Sequence, residues 1–86
     1  MGYEIIWQEK VFKDLERIDR KDALDIIKRV KAHLVQDPAG LGRPLKGIFK
    51  GLFKYRYGNY RVLYAIDMAE RKIIVLHVKH RKEAYR

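Results

Sequence analysis

The sequence predicts an α+β fold of one strand, two helices and three antiparallel strands, with the helix hairpin packed on one face of a small twisted sheet. Three observations predict it. Leu52 to Asp67 (LFKYRYGNYRVLYAID) reads as two alternating runs around Gly58-Asn59, the pattern of a β-hairpin closed by a two-residue loop. Between Val11 and Leu34 the apolar residues recur instead at the three- and four-residue spacing of amphipathic helices. Finally, 86 residues without a cysteine make one domain, 1–86, whose core must come from helices lying on the sheet.

Tyr3 to Trp7 (YEIIW), β-branched and aromatic, is the first strand. Gln8 to Ile18 then changes period, with Val11, Phe12, Leu15 and Ile18 as the stripe of a short helix. Asp19 is the expected N-cap of a second helix, and Asp22 sits well for the helix dipole. Ala23, Ile26, Ile27, Val30 and Leu34 form its buried stripe, leaving Lys21, Asp25, Lys28, Arg29 and Lys31 in water. Asp37-Pro38 stops it, and His33 beside the stripe is read as a structural or surface residue and not as a ligand. With only Asp19 and Arg20 between them, the helices form an antiparallel hairpin. Ala39 to Gly51 (AGLGRPLKGIFKG), rich in Gly and without a period, reads as a loop pinned by Leu45, Ile48 and Phe49. After the hairpin, a turn at Met68-Ala69-Glu70 leads into the last strand, Lys72 to Lys79 (KIIVLHVK).

Two residues of loop set Tyr57 opposite Tyr60, Arg56 opposite Arg61 and Lys54 opposite Leu63. Strand alternation then puts Phe53, Tyr55, Tyr57, Tyr60, Val62, Tyr64 and Ile66 on the helix side. Placing Asp67 opposite Arg71 adds Ile74, Leu76 and Val78 to that side, facing Tyr64, Val62 and Tyr60. The other side collects Lys54, Arg56, Arg61, His77, Lys79 and Arg81 over a floor of Leu63, Ala65, Ile73 and Val75, with His77 across from Arg61. Like charges opposite each other destabilise a sheet, and nothing in folding asks Arg56 to face Arg61. Cations converging from three strands point to an anion.

Composition agrees. Twenty Lys and Arg against 11 Asp and Glu leave a net charge of +9, which for so small a chain implies a polyanionic partner, nucleic acid or an acidic protein. A membrane partner is not expected. The basic residues follow strands and not one amphipathic helix face, and no apolar run approaches the roughly 20 residues of a span. The first residues, MGYEIIWQEK, lack the basic and apolar regions of a signal peptide, so the cytoplasm is the default compartment. His33, His77 and His80 show no ligand-like spacing, and neither a metal nor another cofactor is expected.

The element order, with LKG at 45 to 47, a K-x-R strand at 54 to 56, GNYRVLY at 58 to 64 and HRKEAY at 80 to 85, resembles the RelE/ParE toxin superfamily, and its RelE-like branch most closely. The resemblance runs over nearly the whole chain. It implies the toxin of a type II toxin–antitoxin pair, a metal-independent mRNA interferase that enters the ribosomal A site. The ribose 2′-hydroxyl there attacks the adjacent phosphate, leaving a 2′,3′-cyclic phosphate and a 5′-hydroxyl. It also implies a cognate antitoxin whose C-terminal segment wraps the toxin, and contact with operator DNA only through that complex. Carried across, Lys54 and Arg56 match the basic strand positions, one of them the general base or its electrostatic equivalent. Arg61 matches the arginine that stabilises the phosphorane-like charge. Arg81 and Tyr85 match the arginine and tyrosine assigned to leaving-group stabilisation and base stacking, and His80 could share the acid role. Lys46, Lys50, His77, Lys79, His80 and Lys82 complete the substrate-binding margin.

The chemistry fits these residue types. Transphosphorylation needs a base near the 2′-hydroxyl, cations on the non-bridging oxygens and help for the departing 5′-oxygen. Guanidiniums at 61 and 81 grip phosphate through paired donors. Tyr85 has a plain alternative as a cap on the core edge. Two further readings stand beside the nuclease: a ParE-like inhibitor of DNA gyrase on the same fold, and a non-catalytic RNA-binding module whose cations contact backbone phosphates.

Overall fold

The computed structural model describes residues 2–80. Strand β1 (Glu4–Trp7) leads into helices α1 (Glu9–Glu16) and α2 (Arg20–Ala32). A short helix α3 (Pro38–Leu41) and a two-residue strand β2 (Arg43–Pro44) follow, then β3 (Leu52–Tyr57), β4 (Tyr60–Asp67) and β5 (Lys72–His80). The strands form one mixed sheet in the order β1-β5-β4-β3-β2. The expected α+β arrangement is present, with two additions. β1 pairs with β5 in parallel, Glu4 to Trp7 alongside Lys72 to Val75. The stretch expected to be a loop contributes β2, whose Arg43 and Pro44 pair with Lys54 and Phe53.

The helices lie over one face because their stripes and that face share a core. Val11, Leu15, Ala23, Ile26, Val30 and Leu34 pack on Tyr55, Val62, Tyr64, Ile73, Val75 and Val78, all buried. Phe12 departs from the expected stripe: at 54% exposure it faces solvent, since one short helix cannot turn both Val11 and Phe12 inward. Asp19 stands at the N-cap of α2 without a side-chain cap bond; its carbonyl accepts from Ala23 N–H at 2.9 Å. α2 ends at Ala32, and a 3₁₀ turn (Leu34–Gln36) carries the chain to Asp37. The Asp37 carboxylate accepts from Gly40 N–H at 3.0 Å, so Asp37-Pro38 also starts α3, with proline in the first turn where its missing N–H is harmless.

The hairpin register is as predicted, with Tyr57 opposite Tyr60, Arg56 opposite Arg61 and Lys54 opposite Leu63. Gly58 has φ +57°, the positive value at the first loop position that marks a type II′ turn. The predicted pairing of β4 with β5 is corrected twice. Arg71 adopts φ +54° and lengthens the turn by one residue, so Asp67 faces Lys72 and not Arg71. A bulge between Leu63 and Tyr64 on the β4 side then skips Leu76, so Tyr64 faces Val75 while Leu63 faces His77. The first shift puts Ile73 and Val75 into the helix-side core and Ile74 outside it. The second restores the predicted sides of Val78 and Lys79, but brings Lys79, not His77, opposite Arg61.

The bulge coincides with the point where β1 runs out. Gln8 N–H still donates to the Val75 carbonyl at 3.2 Å. Two residues beyond the bulge, the buried Asp14 carboxylate accepts from Val78 N–H at 3.1 Å, so a helix side chain completes what a strand would have supplied.

Candidate functional site

Lys54, Arg56 and Arg61 converge, as expected, on one open recess of about 420 Å³. Its other walls are Arg29, His33, Leu41, Arg43 and Tyr55. The recess wraps the free edge of β3. β2 pairs only with Phe53 and Lys54, so among the described residues no strand flanks Tyr55 to Tyr57 on that side. Lys54, Arg56 and Arg61 come from the sheet face turned away from the helices, while Arg29 comes from α2 and His33 from its C-cap, across the edge. Among the described residues, no carboxylate lies within 4.0 Å of Arg29, Arg43, Lys54, Arg56 or Arg61. Five cations thus share one hollow with no carboxylate counter-ion among the described residues, an arrangement whose mutual repulsion an anion relieves.

Arg29, His33 and Arg43 escaped the sequence reading. Arg29 lies on the predicted wet face of the second helix, His33 beside its buried stripe and Arg43 in the predicted loop, so none of the three stands out in the sequence. The signal was the i, i+4 spacing of Arg29 and His33 beside the Ile26–Val30 stripe, with a tyrosine on the helix side of β3 whose hydroxyl needed partners. Tyr55 is that tyrosine. Its ring is buried; its hydroxyl accepts from Arg29 Nε at 3.0 Å and lies 2.6 Å from His33 Nδ1. His33 is structural as expected, and it borders the recess as well.

Two other tyrosines tie the sheet to the opposite layer. Tyr60 Oη donates to Asp22 Oδ2 at 3.1 Å; burial, then the Asp22 carboxylate, raises the phenol above its usual range. Tyr64 Oη donates to the Pro38 carbonyl at 2.6 Å, and burial raises it strongly. Gly42 passes so close to Tyr64 that a Cβ there would meet the hydroxyl at 1.8 Å and the Lys54 carbonyl at 3.1 Å. That close approach sets Arg43 beside Lys54.

The remaining expected residues are spread around the cleft. Lys79 faces Arg61 in the ladder and also borders a smaller hollow of about 110 Å³ with Asp14, Arg17, Ile18, Tyr60, Val78 and His80. His80 stacks edge-on to Tyr60, ring centroids 5.3 Å apart, outside the recess. His77 stands beside Asp14, with Nδ1 3.7 Å from Oδ2, beyond hydrogen-bond reach. Burial foremost, then Lys10, lowers its pKa; Asp14 acts in the opposite sense and Lys79 with the lowering. Lys46 and Lys50 are exposed and flank the 3₁₀ turn Gly47–Phe49, away from the recess. Arg81, Lys82 and Tyr85 lie outside the described residues. Among the described residues no three His, Asp or Glu side chains group as metal ligands would, and no helix is long and apolar enough to cross a membrane.

Over residues 5–85 the sequence matches the family described as ParE toxin of type II toxin-antitoxin system, parDE. The chain belongs to the RelE/ParE family, the toxins of type II toxin–antitoxin systems. Toxin RelE of Mycobacterium tuberculosis is 33% identical over 84 residues, covering 98% of this chain and 87% of that protein. Toxin RelG of the same organism is 29% identical, covering 100% and 99%. In the crystal structure of the RelBE2 toxin–antitoxin complex from M. tuberculosis, one chain matches with a TM-score of 0.89 at 26% identity, over 93% of this chain and 99% of that one. A free-state RelE variant from E. coli matches at 0.77 with 16% identity, over 98% and 88%, a likeness of fold alone.

Proposed function

We propose that this toxin is an mRNA endonuclease that cuts in the ribosomal A site without a metal. The observation that carries the proposal is the recess itself, where Lys54, Arg56 and Arg61 stand together with no carboxylate among the described residues to neutralise them. Lys54, through its neutral amine, takes the 2′-hydroxyl proton as that oxygen attacks the adjacent phosphorus, and the Arg56 guanidinium, which can only donate, supports the attacking oxygen by its charge. Arg61 holds the charge that builds on the non-bridging oxygens, where paired donors act most strongly in the transition state. The bond to the 5′-oxygen then breaks and that oxygen takes a proton from solvent or from His80, giving a 2′,3′-cyclic phosphate and a 5′-hydroxyl. Arg81 stabilises that departing oxygen and Tyr85 stacks on the base, while Lys46, Lys50, His77, Lys79, His80 and Lys82 serve the surrounding RNA. The RelE name of the related M. tuberculosis toxin supports this reading. Ribosomes place its action in the cytoplasm.

A cognate antitoxin is the second proposed partner, and operator DNA is reached only through that complex. The +9 charge suits an acidic tail. Exposed Phe12 (54%) and Leu24 (50%), beside a shallow hollow bordered by Leu15, Ile18 and Ala23, offer an apolar seat along α1 and α2.

The matching family is described as a ParE toxin, and the ParE-like alternative, gyrase inhibition without nuclease chemistry, is the second reading. One experiment separates the two. Toxin is added to a programmed translation reaction and mRNA 5′ ends are mapped, with gyrase supercoiling assayed alongside. Ribosome-dependent cuts in the A-site codon support the nuclease. Intact mRNA with inhibited gyrase refutes it.

A further inference from the structure

The recess holds more cations than the transfer of one phosphate uses. Lys54, Arg56 and Arg61 approach from the sheet face turned away from the helices; Arg29 approaches from α2, His33 from the C-cap of α2, and Arg43 from β2. The two groups meet around the open edge of β3. In a hairpin closed by Tyr57 and Tyr60, the main-chain N–H and C=O of Arg56 also point toward that edge and away from β4.

The helix-side group is built, not merely exposed. Tyr55 is 5% exposed, and its hydroxyl is the shared partner of Arg29 Nε (3.0 Å) and His33 Nδ1 (2.6 Å). A guanidinium can only donate, so the phenol oxygen accepts from Arg29 Nε; with the phenol hydrogen turned to His33 Nδ1, His33 presents an Nε2–H donor. Arg29, fixed through Nε, keeps its terminal N–H groups for another acceptor. Arg43 is set in place by pairing with Lys54 and by the close passage of Gly42 over Tyr64.

We infer that Arg29, His33 and Arg43 form a second phosphate subsite, which holds the phosphodiester next to the one placed at Arg61 as single-stranded RNA crosses the edge of β3. Tyr55 is its positioning residue. The inference rests on the reading of the cleft as an RNA site. Consecutive phosphates of one strand satisfy both cation groups at once, and the guanidiniums offer the paired donors that suit phosphate. An acidic peptide would have to bring carboxylates to both sides of a strand edge.

The test measures binding of a short single-stranded RNA oligonucleotide across a salt series, with mRNA cleavage in a translation reaction measured in parallel. Arg29→Ala and Arg43→Ala should each weaken RNA binding by roughly tenfold at low salt and flatten the salt dependence by about 0.7 in log–log slope per lost contact. Each should raise KM for mRNA with kcat nearly unchanged, whereas Arg61→Ala lowers kcat. Tyr55→Phe keeps the ring and the net charge, so a matching RNA defect in that variant, with an unchanged thermal midpoint, identifies positioning. Unchanged RNA affinity and slope in Arg29→Ala and Arg43→Ala overturn the subsite. So does a loss confined to a poly-glutamate peptide, which would assign the recess to an acidic protein. Native protein that binds RNA through these residues but never cleaves refutes the nuclease and leaves the subsite standing. Normal cleavage with unaltered RNA binding in both variants does the reverse.

Discussion

The Asp14 carboxylate caps the Val78 N–H at 3.1 Å, on the edge of β5 that β1 leaves open. Asp14 is 7% exposed, so water cannot replace it freely. Asp14→Ala leaves that buried donor unmet and should destabilise the protein by about 1–3 kcal/mol, read from urea denaturation. Stability equal to the native protein's would show that the bond carries no weight.

His77, next to the same carboxylate, gives stability a pH dependence. Its folded-state pKa lies below the ordinary 6.5, lowered by burial first and then Lys10 and Lys79, with Asp14 opposing. Between the two values the unfolded chain binds a proton that the folded chain does not. This contribution is therefore complete above 6.5 and is lost as pH falls through the folded value. Denaturation midpoints should fall over that window and fall less in His77→Gln. Parallel pH profiles for the two proteins would remove His77 as the cause.

On the proposed nuclease reading, Arg61→Ala should slow A-site cleavage by on the order of 10²-fold, since it removes charge stabilisation made mainly in the transition state. The side chain faces away from the helix layer, so the melting temperature should hardly move. Cleavage at the native rate in this variant would refute the site.

Gly58→Val should cost roughly 1–3 kcal/mol, because a β-branched residue is strained at φ +57°. Calorimetry decides it, and an unshifted midpoint would mean that the hairpin loop is not as described.

Gly42→Ala should destabilise by about 1–3 kcal/mol through overpacking against Tyr64, and less in a Tyr64→Phe background, where the clashing hydroxyl is gone. Additive effects in the double variant would exclude the contact as the cause.

Strand and helix order were legible because period and the Gly58-Asn59 loop are local signals, and local signals carried Lys54, Arg56 and Arg61 to one face. The β4–β5 register was not legible. It depends on Arg71 at φ +54° and on a bulge at Leu76, neither announced by a glycine or proline. The bulge belongs to a distant event, the replacement of β1 by Asp14 as the partner of that edge. Arg43 was missed for a related reason: β2 is too short to show alternation, and Lys54 makes it a strand by pairing with it. Arg29 and His33 carried the ordinary look of a wet helix face, and only Tyr55, 22 and 26 residues away, turns them into part of a recess.

The parallel pairing of β1 with β5 has a kinetic consequence. Glu4 meets Lys72 and Trp7 meets Val75, so the earliest strand waits for the latest before it has any neighbour. Closing that loop comes late and dominates the contact order, which slows folding relative to a helical chain of equal length. Fragments that stop before β5 lose β1, the Asp14 cap and the strand beside Arg61 together. Activity should therefore emerge in a single cooperative step, and partial chains should be inert rather than weakly toxic.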